Sequence, residues 1–174
     1  MPVPIDPTIP PAGVGDMFLF VKGARAGVIK GEAQDATHQD EINVISWSWG
    51  MQGLRDLSGQ AKGRARIQEL KVVKLVDSAT TALMSALRTN EQIKEAKLTL
   101  RKSGKGQLEF LTIVLENARV VEVTVDGGTP PGSAQVVEHV AFAFNKITVE
   151  YTPQGKDGQG RGAMQFIDVY EDAQ

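Results

Sequence analysis

The sequence predicts a mainly β chain: a small β-barrel of two packed, bent antiparallel sheets, with one short α-helix on its flank at about 78–89. Three observations predict it. Gln107–Val125 runs 19 residues without Gly or Pro. At ~3.3 Å per residue that is roughly 60 Å of straight strand, far beyond usual lengths, so it must bend or break, and Glu116–Asn117 is the place for it. Two stretches change the phase of their alternation. Ile42 and Val44 are apolar on even positions, Ile45, Trp47 and Trp49 on odd ones; Val140, Phe142 and Phe144 are even, Ile147, Val149 and Tyr151 odd. Such a change reads as one residue inserted into the pleat, a β-bulge near Val44–Ile45 and another near Asn145–Lys146. Finally, a single stretch carries helical spacing. Long, bulged, bent strands suit a small barrel or two tightly packed sheets.

The elements follow in order. Met1–Gly15 carries five of the eight prolines, which cannot complete a sheet ladder, so it reads as an extended arm, loose or laid on a neighbour, ahead of one domain over 16–174. "MFLFV" (Met17–Val21) is apolar on both parities and reads as a strand covered on both faces. A polar, turn-rich stretch leads to "EINVISWSWG" (Glu41–Gly50), which holds both tryptophans. A loop with four glycines fills Gly50–Arg64, and Arg66–Val76 is β-like. Ala79, Ala82, Leu83, Ala86 and Leu87 then recur at helical spacing. Asp77 or Ser78 can cap this helix and Asn90 end it. About a dozen residues need a sheet to pack on. Strands resume with Ala96–Lys102, a "SGKG" turn, Gln107–Val125 and Ala134–Thr152.

Composition narrows the function. A net charge of −2 without a basic run gives no reason to expect nucleic acid. No apolar run reaches ~18 residues, so no membrane insertion is expected. The start lacks the basic residues and unbroken apolar stretch of a secretory signal. The absence of cysteine removes thiolate nucleophiles and zinc–thiolate sites. His38 sits in "DATHQDE" with Asp35, Asp40 and Glu41 near it, which reads as a solvated acidic loop rather than a metal site. His139 alternates along a strand, toward solvent or a partner. "GQGRG" (Gly158–Gly162) lacks the following helix that would place a phosphate, and reads as a turn. No nucleophile–base pair stands out, and neither catalytic residues, nor metal, nor cofactor are assigned: the chain does not read as an enzyme.

"DMFLF" (Asp16–Phe20), "KGEAQDATHQDEINVISWSWGM" (Lys30–Met51), "KLVD" (Lys74–Asp77), "AKLTLRKSG" (Ala96–Gly104), "LEFLTIVLENARV" (Leu108–Val120) and "VAFAFNKITVEYTPQGKDG" (Val140–Gly158) occur in that order. Together they resemble the Hcp (haemolysin-coregulated protein) family, the inner-tube protein of bacterial type VI secretion. The resemblance implies a β-barrel with a flanking helix, a homohexameric ring with an open lumen, and rings stacked into an injected tube that carries effector cargo. Sheath, spike and effector proteins are the partners it implies. The implied location is the bacterial cytoplasm, then outside the cell or in a target cell, with no cleaved signal peptide. The sequence departs from the family in its Pro-rich arm, in the added "GARAGVI", and in a less glycine-rich loop after "SWSWG".

Site residues follow. The tryptophans take the core side and Ser46 and Ser48 face the lumen, where small polar walls suit varied cargo. "FLTIVL" (Phe110–Leu115) is apolar on both parities, so Phe110, Ile113 and Leu115 are ring-interface candidates. Glu32, Asp35, Asp40 and Glu41 form an acidic stretch; Arg55, Lys62, Arg64 and Arg66 against Asp56 give the next loop a net +3. Lying at the two ends of one strand, these segments are expected at opposite rims, where they would stack one ring on the next. The alternative is a monomeric β-barrel binding a small apolar ligand.

Overall fold

The computed structural model describes residues 16–103, 107–128, 130–157 and 159–170; the Pro-rich arm and most of the "SGKG" turn lie outside them. The strands are β1 (Asp16–Gly23), β2 (Gly27–Val28), β3 (Ile42–Asn43), β4 (Ser46–Ser48), β5 (Met51–Gln52), β6 (Arg66–Ile67), β7 (Leu70–Leu75), β8 (Ile93–Arg101), β9 (Glu109–Gly127), β10 (Val136–Tyr151) and β11 (Met164–Val169), with α1 at Thr80–Arg88. Nine strands form one antiparallel sheet in the order β2-β1-β8-β9-β10-β7-β4, with β11 on β10 and β3 on β1; β5 and β6 make a separate ribbon.

The sheet is not closed into a continuous barrel. Instead, Ile42–Ser48 crosses between its two ends. Val44 N–H donates to Met17 O in β1, and the next amide, Ile45, donates to Val73 O in β7. The phase change at Val44–Ile45 is the expected bulge, set at a hand-over between two partner strands: Ile45 donates to Val73 O, Ser46 stands opposite the same Val73, and both are exposed before Trp47 turns back to the core. Ile45 is half-exposed rather than on the tryptophan side. Trp47 and Trp49 are half-buried and pack against the core.

The other phase change has a different cause. In β9, Ile113 and Leu115 are buried, then Ala118 and Val120; in β8, Ile93, then Ala96 and Leu98; in β10, Val140 and Phe142, then Ile147. All three strands exchange the side they bury at one transverse row, Lys94–Asn117–Asn145. The β9–β10 register is the same on both sides of that row, from Phe142↔Val120 to Tyr151↔Leu111. No residue is inserted at Asn145–Lys146, contrary to expectation. The strands turn over together at Asn117, whose φ of 50° is left-handed, a conformation asparagine tolerates. That confirms the predicted bend at Glu116–Asn117. The one β9–β10 register shift lies at Ala141/Phe142, leaving Val121 as the extra residue.

The helix is Thr80–Arg88, slightly shorter than expected, and it packs on β9. Ala79, Leu83 and Ala86 are buried, with Ala82 and Leu87 packed beside them. Neither predicted cap residue occupies the N-cap. Ala79 does, Asp77 Oδ1 accepts from its N–H at 2.9 Å, and Ser78 donates to Lys30 O. Asn90, at φ 51°, follows the last turn as expected.

Candidate assembly and cargo surfaces

Strand β4 positions the serines. Its alternation turns Trp47 toward the core, opposite Val72, while Ser46 and Ser48 are exposed on the other face, opposite Val73 and Lys71. The same face continues across β10 and β9, because His139 pairs with both Val73 and Thr124. Ser46, Ser48, Lys71, His139, Glu122 and Thr124 thus form a polar wall, with His139 Nε2 3.5 Å from Asp126. Sequence reasoning found only the serines of this wall. The register that joins them to β9 is long-range and carries no local signal.

Two of the three interface candidates are displaced. Ile113 and Leu115 have 1% and 0% exposure and sit inside the core, so no area is left to meet a neighbour. Phe110 is half-buried beneath Lys102, whose Nζ lies 5.3 Å from the ring centroid. The exposed apolar surface gathers on β11 instead: Met164 66%, Phe166 41%, Ile167 54% and Val169 52%. These residues occupy both faces of a strand that pairs, among the described residues, with β10 alone, so β11 offers there an open edge as well as apolar faces. Sequence reasoning named no strand at these positions.

The acidic stretch is largely engaged within the chain. Arg101 donates to Asp35 at 2.6 and 3.0 Å and to Asp16 at 2.8 Å. Those bonds and the Thr37 N–H hold the Asp35 carboxyl well below the usual carboxylate range, and the same partners, Asp35 first, raise Arg101. Asp40 pairs with Lys30 at 3.4 Å. Glu41 bonds His38, and Glu32 stays exposed. Gly31 permits this layout, since a Cβ there would lie 2.5 Å from Glu41 O.

His38 is buried rather than solvated, a correction to the sequence reading. Its ring stacks on Phe18 with centroids 4.4 Å apart. Nδ1 is 2.9 Å from Glu41 Oε2 and Nε2 is 2.7 Å from Glu109 Oε1. Among the described residues no group of three or more His, Asp or Glu could hold a metal ion. His139 is half-exposed, as expected.

The basic segment behaves as predicted in exposure. Arg55, Lys62, Arg64 and Arg66 are exposed and form no ion pair among the described residues. Between them the loop is a hairpin tied by the Arg55–Ala61 bridge. Asp56 organises its tip, accepting from Ser58 Oγ and from the Ser58 and Gln60 N–H groups, which lowers its pKa. The tip presents Leu57 fully exposed and Leu54 at 48%.

The added "GARAGVI" forms the β1–β2 hairpin. Glu91 holds it, accepting from Arg25 N at 2.8 Å and Ala26 N at 2.7 Å. The Ala26 N–H, opposed by burial and aided by Arg25, lowers the Glu91 pKa. "GQGRG" lies in a turn closed by the Gln154–Gly160 bridge, with Gly158 outside the described residues.

A family model described as "Type VI secretion system effector, Hcp" matches residues 18–151. The chain is 36% identical over 151 residues to "Protein hcp1" of Pseudomonas aeruginosa, across 84% of this chain and 89% of that one. It is 26% identical over 157 residues to the "Major exported protein" of the same species, across 81% and 91%. Hcp1 from Salmonella typhimurium is a structural neighbour at 26% identity and a TM-score of 0.71, over 90% of this chain and 94% of that one. Hcp1 from E. coli EAEC 042, at 23% identity, shares the fold with a TM-score of 0.76 over 90% and 99%. With matches that run from β1 through β10 and a bent antiparallel sheet backed by one helix, the chain is a member of the Hcp family of type VI secretion system proteins.

Proposed function

We propose that this chain is a structural tube protein, exported by a bacterial type VI secretion system. It assembles as a hexameric ring, its rings stack into the injected inner tube, and effector cargo rides in the lumen. The observation that carries the reading is β11: an open edge strand with exposed apolar side chains on both faces. Such an edge invites pairing with another chain. The polar wall around Ser46 and Ser48 supports the lumen, because small polar groups leave cargo free to leave. Sheath and spike proteins are the expected neighbours of the assembled tube, and the function asks for no catalysis.

Sedimentation velocity with electron microscopy tests the reading. A hexamer with a central opening is expected, and a monomer at every concentration overturns it. The ligand-binding alternative draws no support from the interior, which is filled among the described residues by packed apolar side chains such as Leu19, Ile42, Leu98 and Phe142. A cavity of about 490 Å³ lies outside that core, between the β5–β6 ribbon and β11, and Arg64 and Asp168 share its lining.

A further inference from the structure

The added "GARAGVI" is pinned to the end of the helix. Gly23 packs so close to Glu91 that a Cβ there would lie 2.5 Å from Glu91 Oε1. Glu91 is buried and accepts from the Arg25 and Ala26 amides, and Ala24 N–H donates to Gln92 O. Moving the hairpin away would strip a buried carboxylate of its donors. This anchoring positions Arg25. Its guanidinium donates to Thr89 Oγ1 at 2.9 Å, and its side chain stays 67% exposed.

Two further arginines meet the same turn. Arg88 ends α1 and is exposed. Arg119, from β9, donates to Asn90 O. Neither forms an ion pair among the described residues. The carboxylate at this spot, Glu91, is buried and occupied. The next ones, Glu95 and Glu116, stand opposite Lys22 and Lys146 in the sheet register. Three guanidiniums thus gather at Thr89–Asn90 against one buried carboxylate. Met84, which is exposed, lies one turn before Arg88 on the same helix face and gives the patch an apolar border.

The patch faces away from the polar wall. Leu83 and Ala86 of the helix pack into the core with Val72 and Val140, and strand alternation points those two opposite to Lys71 and His139. In the proposed tube the wall lines the lumen, so the end of the helix lies on the outside. We propose that Arg25, Arg88 and Arg119 form a docking surface for an acidic segment of another protein outside the tube. The location rests on the tube reading, whereas the chemistry does not. Guanidinium forks take carboxylates with two parallel bonds, which suits Asp and Glu side chains. A net charge of −2 gives a phosphate polymer little general attraction to the chain. Arginine and methionine together are also the composition of a protein-binding surface.

Fluorescence anisotropy of a labelled octaglutamate peptide on the full chain tests it, with sedimentation recording ring assembly in parallel. Arg25→Gln with Arg88→Gln keeps the backbone bonds to Glu91, so the hairpin stays in place. Binding at low salt should weaken at least about tenfold in this double variant. Arg64→Gln with Arg66→Gln, on the exposed basic segment, should bind like the wild type. Equal binding by the wild type and the Arg25/Arg88 variant would overturn the proposal, as would a loss confined to the Arg64/Arg66 variant. So would tighter binding of an oligonucleotide of the same length through Arg25 and Arg88, since the occupant would then be a nucleic acid. Peptide binding that depends on these arginines in a chain that forms no ring would uphold the docking surface and end the tube reading; a ring that binds no peptide would do the reverse.

Discussion

The Lys74 ammonium lies 2.7 Å from Glu138 Oε2 and 2.8 Å from Asp77 Oδ1, and Lys74 and Glu138 are both fully buried. Thr80 at the start of the helix joins them, donating to Glu138 Oε2 at 2.6 Å while accepting from Asp77 N. The cluster ties β7, β10 and α1 at one point. Glu138→Ala leaves the Lys74 charge buried without its main partner and should cost about 3–5 kcal/mol. Lys74→Met with Glu138→Leu removes both charges and should cost far less, or stabilise. Urea denaturation of the single and double variants checks this; equal losses would mean that the ion pair is not what holds the helix.

Asp35 links the acidic stretch to β8 through Arg101. Its depressed pKa, below the ordinary value of 3.8, means that the folded state binds the ionised carboxylate better than the unfolded chain does. The sign follows: stability from this group is present above the unfolded value and lost as pH falls. Asp35→Asn should lower Tm at neutral pH. It should also flatten the decline of Tm between about pH 5 and pH 2, so that variant and wild type converge in acid. A constant difference in Tm across that range would remove the Asp35–Arg101 pair as the cause.

The two sides of β4 should respond differently to substitution. Trp47→Ala should cost about 2–3 kcal/mol, less than a full core truncation because the ring is only half-buried. Ser48→Gln adds bulk on an exposed face, so the ring should survive with weakened effector binding. Thermal melts and co-purification with effectors separate the two. An unfolded Ser48→Gln, or one that binds every effector normally, would end its assignment to the lumen.

Interface substitutions should distinguish β11 from β9. Ile167→Asp places a charge on the half-exposed edge strand and should give folded monomers. Ile113→Asp places one in the core and should unfold the chain, because a buried unpaired carboxylate is costly. Circular dichroism with sedimentation reads both properties. A folded Ile167→Asp hexamer would remove β11 from the interface.

Local chemistry made most strands and the helix legible. The apolar stripe Ala79–Leu87, the left-handed tolerance of Asn90 and the need to bend near Asn117 all lie within a few residues of the features they set. Register was not legible in the same way. The phase change near Val44 marked the bulge, but nothing there showed the hand-over from β1 to β7 that goes with it. Nothing near Lys94 or Asn145 shows that three strands turn over in one row. Buried polar residues were missed for a related reason: Lys74, Glu138, Arg101 and His38 look like surface residues until partners from distant strands satisfy them. The same gap made Ile113 and Leu115 read as interface candidates, since two-sided apolarity there marks a strand covered by the chain's own core.

In the proposed tube, stacking of rings would combine a charge term with an apolar one, and magnitude decides which dominates. Arg55, Lys62, Arg64 and Arg66 are exposed on one segment, but three of the four expected acidic partners are engaged at home: Asp35 with Arg101, Asp40 with Lys30 and Glu41 with His38. Only Glu32 is fully available. Exposed ion pairs are worth ~0–1 kcal/mol each and are screened over about 8–10 Å. Leu57, fully exposed at the hairpin tip, would contribute about 1.5–3 kcal/mol if buried against the next ring. Sixfold repetition multiplies both terms without changing their ratio. Leu57→Asp should therefore abolish stacking at every ionic strength while leaving single rings intact. Arg64→Glu with Arg66→Glu should weaken stacking at low salt and converge with the wild type as salt rises. Sedimentation of the three proteins across an ionic-strength series reads both effects. If Leu57→Asp rings stack like the wild type, the apolar tip does not carry the contact. If the charge reversal has no effect at low salt, the basic segment does not face an acidic rim.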